Sequence, residues 1–277
     1  MKRRTNDDLL LMIAIGDGFG AAAEYVKPDN DIFEKLLKFE HYYDHPNRPK
    51  SKGHYTDDCQ LSIAIAEALI SGRPYTKEKF AKSFFDTYKR DRRGGYARNF
   101  QKLLEEVKTW EELLERLRPD SDKNGAAMRS VPIGVLSGVS EVLSVAETQA
   151  KITHDTVGGI TSSQIVALAS HYSIYLDEPL EKEPLLAWLK QYVIIPDEFY
   201  TDFDGPVVGP GVGMVTARAV IDLITRNTNL LDVMRHAIIM TGDLDSVLSI
   251  ALGIASNRMD RSKLPDFLIY ELEPGRK

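Results

Sequence analysis

Two stretches of this chain, Asp57-Asp58-Cys59-Gln60-Leu61-Ser62-Ile63-Ala64 and Asp243-Leu244-Asp245-Ser246-Val247-Leu248-Ser249-Ile250-Ala251, place carboxylates at the start of helical runs that are apolar nearly all round. A helix with no polar face belongs in the centre of a protein, so its acidic start is carried inward with it. Elsewhere apolar residues also recur mainly at helical spacing, and two-residue alternation is scarce. The spacing predicts helices over 7–23, 32–39, 58–70, 77–89, 96–106, 110–117, 139–150, 161–175, 184–192, 212–225, 230–240 and 245–256. The expected architecture is all-α, a compact orthogonal multi-helix bundle. Turn chemistry punctuates it at His45-Pro46-Asn47-Arg48-Pro49, Arg93-Gly94-Gly95, Pro119-Asp120-Ser121-Asp122 and the Gly/Pro-rich stretch 204–211. None of these is a low-complexity linker and no solenoid period is present, so residues 1–277 read as one domain.

Composition removes several classes of function. With 43% hydrophobic and 27% charged residues, 277 residues suffice for a sizeable core, and a net charge of -6 offers no general basic field for nucleic acid or an anionic membrane. A local basic pocket stays compatible with that balance. Cys59 is the one cysteine, which rules out an internal disulfide and a multi-thiolate metal site, and the six histidines lack zinc-binding spacing. Lys2-Arg3-Arg4, the apolar run 9–15 and Ala21-Ala22-Ala23 superficially match a signal peptide. Asn6-Asp7-Asp8 directly precedes that short run and Asp17 follows it, so the expectation is no export signal and a cytoplasmic location. No stretch approaches the length of a membrane span.

The acidic helix starts have two readings. Asp57 followed by Gln60 resembles a capping box, and first-turn carboxylates suit the helix dipole. That explains one acid, whereas Asp57 and Asp58 together repel. If the two N-termini meet, four carboxylates and two hydroxyls share one site, and their repulsion needs cations to balance it. An all-oxygen set selects hard ions, Mg²⁺ or Mn²⁺ before Ca²⁺, and this ligand count suits two of them. Caps and metal ligands both remain open from the pattern alone.

Five ordered motifs resemble the ADP-ribosylglycohydrolase family: Gly16-Asp17-Gly18-Phe19-Gly20 with Glu24; Tyr55-Thr56-Asp57-Asp58 with Gln60-Leu61; Asn124-Gly125-Ala126-Ala127-Met128-Arg129 with Pro132-Ile133-Gly134; Thr153-His154; and Gly242-Asp243-Leu244-Asp245-Ser246. The resemblance implies an all-α domain with a dinuclear Mg²⁺ or Mn²⁺ centre at helix N-termini. It implies Thr56, Asp57, Asp58, Asp243, Asp245 and Ser246 as the ligands. Ser246 stands where the family usually has threonine, Leu244 where threonine is common, and Thr241 where a second glycine is common. The last of these departures bears on the loop that aims Asp243.

Small residues at 124–128 let backbone N–H groups approach phosphate closely, and the resemblance implies that Asn124, Gly125, Ala126 and Met128 hold the diphosphate and distal ribose of ADP-ribose. It places His154 beside the nucleotide and Tyr96 at the ribose pocket, with Ala97 where glycine often follows the tyrosine. Arg129 reads equally as a ligand contact or as a buried ion-pair partner. Tyr200 and Phe203 are expected as exposed-loop rings for adenine stacking. Glu24 is expected to position substrate or handle a proton, with Asp57 or Asp58 as the other candidate acceptors.

The implied reaction is hydrolysis of the glycosidic bond between ADP-ribose and an acceptor on a protein or small molecule, through an oxocarbenium-like transition state. Bound ions would orient the ribose and polarise water. A non-catalytic ADP-ribose-binding relative and a hydrolase of a free ADP-ribose ester are the competing readings.

Overall fold

The computed structural model describes residues 7–209 and 211–274; Lys2-Arg3-Arg4, Asn6 and Pro210 lie outside the described residues. The helices run α1 (Leu9–Gly20), α2 (Ile32–Leu37), α3 (Asp57–Ile70), α4 (Lys77–Arg90), α5 (Arg98–Glu106), α6 (Trp110–Arg116) and α7 (Gly125–Met128) in the first half. They continue as α8 (Val139–Ala150), α9 (Val157–Tyr175), α10 (Lys182–Leu189), α11 (Val212–Arg226), α12 (Leu230–Met240), α13 (Leu244–Ala255) and α14 (Phe267–Tyr270). Short 3-10 turns at Val131–Val135 and Asp197–Tyr200 complete the path, and among the described residues there are only isolated bridges and no strand. The fold is therefore all-α, as the periodicity predicts, and among the described residues no helix is long and apolar enough to cross a membrane.

Departures from the predicted bounds have local causes. Helix α9 begins four residues earlier than expected because the Thr156 hydroxyl accepts from Gly159 N at 3.1 Å, a side-chain cap that carries Gly158 and Gly159 into the first turn. Tyr96 stands outside α5, where Gly95 (φ +103°) and the non-helical Ala97 (ψ 129°) delay the helix. The four-residue helices α7 and α14 are too short to leave a periodic signature.

Every residue of α13 is buried, confirming its place at the centre. It lies against α1 at backbone distance: a Cβ on Gly20 would stand 2.6 Å from Asp245 Cα and N, and one on Gly16 would collide with the Leu248 carbonyl. The glycines of α1 thus set how close Asp245 comes to the acids that α1 and its exit carry. One contiguous apolar cluster, from Leu9 to Leu268, surrounds this pair.

The turn between α12 and α13 is strained. Thr241 has φ 58° and ψ −174°, a region essentially reserved for glycine. It persists because the neighbouring chain holds it: Val207 N donates to Thr241 O at 3.3 Å, and Asp243 N donates to Val207 O at 3.0 Å. Replacing Thr241 with glycine should raise stability by roughly 1 kcal/mol, the strain relieved less the extra backbone entropy lost on folding. Chemical denaturation checks this, and a lower midpoint for Thr241→Gly would show that the threonine is not strained.

Candidate metal centre and substrate cleft

Neither acidic helix start is used as a cap. At α3 the N-cap residue Thr56 makes no capping bond with its side chain. The amides are served instead from α1: Asp17 Oδ2 accepts from Thr56 N at 2.8 Å and from Cys59 N at 2.9 Å, and Asp17 Oδ1 accepts from Thr56 Oγ1 at 2.8 Å. The capping box drawn from Asp57 and Gln60 does not form, since Gln60 accepts from Tyr96 Oη at 2.7 Å and donates to Asp91 O. At α13, Asp243 likewise makes no capping bond, and Asp245 accepts the amide of its neighbour Ser246 at 3.0 Å and hydrogen-bonds Glu24. Asp57 and Asp245 each accept one first-turn amide, Asp57 from its own N–H and Asp245 from Ser246, and their other oxygens remain available beside Asp58 and Asp243.

The fold brings these acids together. One oxygen each from Glu24, Asp243 and Asp245 lies within 4.8 Å of the others. Asp57, Asp58, Glu24, Asp243 and Ser246 share the wall of a cleft of about 1060 Å³. Burial raises the carboxyls of Asp57, Asp58 and Asp245 well above the usual range, and their mutual charges push the same way. Burial likewise raises Asp17 to about 7 against the lowering effect of its hydrogen bonds, and raises Glu24 against the pull of Arg48. Arg48 meets Glu24 at 2.6 Å and is the one cation ion-paired to these six acids among the described residues. Buried oxygen donors with so little compensating charge fit a hard divalent cation in charge and donor type. Thr56 is absent from the cleft wall, its hydroxyl donated to Asp17, whereas Ser246 reaches the wall beside Asp58.

Two residues that hold the centre went unassigned in the sequence. Tyr25 follows Glu24 with a left-handed φ of 51°; its N–H donates to Gly242 O at 2.8 Å and its hydroxyl to Asp243 Oδ2. Asp17 lay inside a recognised motif, but its service to α3 spans 39 residues of sequence. Local pattern reports neither link.

Of the residues expected on the substrate side, Tyr96, Asn124, Gly125, Met128 and His154 line the cleft. Asn124 is committed to the acids: its amide donates to Asp243 Oδ2 and to Thr216 Oγ1, each at 3.2 Å. Ala126 is fully buried, outside the cleft wall, with its carbonyl accepting from Ser130 and Gln149. The Tyr96 hydroxyl points to Gln60 in the core, so only its ring borders the cleft. A Cβ on Gly125 would stand 2.8 Å from His154 Cε1, which makes glycine the residue that lets α7 approach the imidazole. His154 is held neutral, lowered to about 3 first by burial and then by the charges of Arg129 and Lys123.

Arg129 takes part in no ion pair among the described residues. It stacks on Phe84, donates to Gln149 and Thr153, and also borders the cleft. The exposed-ring expectation for residue 203 is corrected: Phe203 is buried beneath Arg218, because the 204–209 segment folds back to tie Val207 to the 241–243 turn. Tyr200 keeps a partly exposed ring outside the cleft wall. The aromatic rings that border the cleft are Tyr25, Tyr96 and Phe100.

Acids gathered from two helix starts beside a cleft of about 1060 Å³ give this all-α protein a donor set of the kind that suits a hard cation, next to room for a polar ligand. Its relatives narrow that reading. The profile of the ADP-ribosylglycohydrolase family matches residues 8–276, and the chain belongs to this family. An uncharacterized protein of Archaeoglobus fulgidus is 27% identical over 184 residues, covering 64% of this chain and 58% of that protein. The ADP-ribosylhydrolase ARH3 of Gallus gallus is 30% identical over 130 residues, covering 43% of this chain and 35% of that protein. The chain thus aligns with between about a third and three fifths of these relatives' lengths. A solved structure titled ADP-ribosylglycohydrolase-related protein complex has the same fold, with a TM-score of 0.72 over 95% of this chain and 90% of that one, at 20% identity.

Proposed function

We propose that this chain, acting as one domain over residues 1–277, hydrolyses the glycosidic bond between ADP-ribose and an acceptor on a modified protein or small molecule. The observation that carries the reading is the set of buried carboxylates brought together from two helix starts: Asp57, Asp58 and Asp243 in the wall of a cleft large enough for ADP-ribose, and Asp245 grouped with Glu24 and Asp243. Glu24, Asp57, Asp58, Asp243, Asp245 and Ser246 would hold two Mg²⁺ or Mn²⁺ ions. Bound there, such ions supply Lewis-acid polarisation of water and of the ribose hydroxyls.

The chain's own groups do the rest. Gly125 and Met128 border the nucleotide path, and the neutral His154 imidazole gives it a hydrogen-bonding group without charge. Glu24, Asp57 or Asp58, which all border the cleft, would take a proton from the attacking water. Asn124 and Tyr25 fix the orientation of Asp243. Removing the Tyr25 hydroxyl should therefore weaken divalent-ion affinity about tenfold, as loss of a ligand's supporting hydrogen bond typically does. Titration of Tyr25→Phe with Mn²⁺ followed by electron paramagnetic resonance measures this, and unchanged affinity would remove Tyr25 from the centre.

The test of function is release of ADP-ribose from arginine-linked and serine-linked ADP-ribosyl peptides, with Mg²⁺ or Mn²⁺ and with chelator. Metal-dependent release from either is the expected result and gives the linkage. Absence of release, together with calorimetric binding of free ADP-ribose, would favour a non-catalytic relative instead.

A further inference from the structure

The outer part of the cleft is sorted by charge in a way composition does not anticipate. Residues 98–123 contain six cations (Arg98, Lys102, Lys108, Arg116, Arg118, Lys123) and seven acids (Glu105, Glu106, Glu111, Glu112, Glu115, Asp120, Asp122). Five of the cations line the cleft, all but Lys108, but only two of the acids do, Glu106 and Asp120. A segment of net charge -1 thus presents a lip of net charge +3, on a chain whose total is -6.

Folding produces the sorting. The α5 positions 98 and 102 are one helical turn apart and face the cleft together with Phe100 and Leu103. Glu112 is spent on the Lys108 amide at 2.7 Å, and Asp122 on Gly211 N at 2.9 Å. Arg116 and Lys102 both meet Glu106, whereas Arg98, Arg118 and Lys123 have no ion-pair partner among the described residues. Like charges gathered on an exposed lip repel one another, and an anionic ligand relieves that repulsion.

The wall deeper in carries Glu24, Asp57, Asp58 and Asp243 against a single cation, Arg129. The cleft is bipolar, acidic where the helix starts meet and basic along residues 98–123. We infer that the lip is a docking surface for a short acidic segment of the ADP-ribosylated protein, flanking the modified side chain. The inference rests on the proposed function for its orientation. A short acidic stretch fits better than a long polyanion, because Glu105, Glu111 and Glu115 lie on the same segment outside the lip and would repel a nucleic acid extending past it.

Fluorescence anisotropy at low salt tests this with three probes: an unmodified labelled peptide with four glutamates around a serine, its glutamine counterpart, and a single-stranded DNA oligonucleotide of equal charge. The glutamate peptide should bind at least tenfold more tightly than the glutamine peptide, with affinity falling as salt rises. The Arg98→Gln/Arg118→Gln double variant should lose most of that preference. Equal binding of the two peptides, or a preference that survives the double variant, would overturn the inference; tighter binding of the oligonucleotide would reassign the lip to polyanions. Calorimetry of ADP-ribose with the same two proteins separates the remaining case. If the double variant loses ADP-ribose affinity as strongly as it loses the peptide preference, the lip is part of the nucleotide site and the inference fails. If the unmutated protein binds the acidic peptide through the lip but no ADP-ribose, the proposed function fails and the docking surface stands.

Discussion

Asp245→Ala is expected to cut metal-dependent turnover by at least about a thousandfold, equivalent to roughly 4 kcal/mol of transition-state stabilisation, while making the metal-free protein more stable. Asp245 is buried, its carboxyl is raised well above the ordinary range by burial and then by Glu24, Asp58 and Asp243, and it accepts the Ser246 amide and hydrogen-bonds Glu24. Deleting it removes one corner of the Glu24–Asp243–Asp245 group, and with it one of the ligands of the proposed metal centre. In chelator the same deletion relieves an uncompensated buried carboxylate and improves helix propensity, a gain of roughly 1–2 kcal/mol after the lost amide bond is counted. A capping carboxylate predicts the opposite sign, a loss of about 0.5–2 kcal/mol with little effect on turnover. Urea denaturation in chelator together with a turnover assay decides between them. A less stable Asp245→Ala protein that retains activity would show the acid to be a cap.

The second large effect is the pH dependence of the metal-free protein. Asp17 moves from 3.8 to about 7 on folding, raised first by burial, and Glu24, Asp57, Asp58 and Asp245 shift in the same direction. Between those values the native state holds protons that the unfolded chain has released, so stability falls as pH rises. Each excess bound proton contributes a slope of about −1.4 kcal/mol per pH unit. For Asp17 the contribution is fully present below about pH 4 and is lost as pH climbs through about 7. The melting temperature in chelator should therefore drop between pH 5 and pH 7.5, and saturating Mg²⁺ should remove most of the drop by supplying the missing positive charge. Calorimetry at the two pH values, with and without Mg²⁺, measures it. A melting temperature in chelator that stays level or rises over that interval would mean that the acids are compensated within the protein.

Much of this molecule was legible in one dimension because the relevant physics is periodic. The all-α class and most helices followed from apolar spacing, and the central place of α13 followed from its lack of a polar face. Gathering of the acidic helix starts was open to the same reading, since two buried helices that begin in carboxylates carry those acids inward. What escaped was every choice among chemically equal groups. Asp57 and Gln60 had the spacing of a capping box, yet Asp17, 39 residues before Thr56, takes the amides of Thr56 and Cys59. Asn124 belonged to a phosphate-loop pattern, yet its amide is spent on Asp243. Phe203 sat in a Gly/Pro-rich context that suggested exposure, yet a return of the chain buries it beneath Arg218.

The sequence by itself determined that helices would form, which faces they would bury and that carboxylates would go inward, because backbone periodicity and the cost of exposing apolar surface act over a few residues. The tertiary structure alone decided which acid caps and which remains free, how closely α1 lets Asp245 approach through Gly16 and Gly20, and which charges of residues 98–123 face the cleft. Those outcomes depend on hydrogen bonds and contacts between groups far apart along the chain, and such pairings exist only once packing has chosen the neighbours.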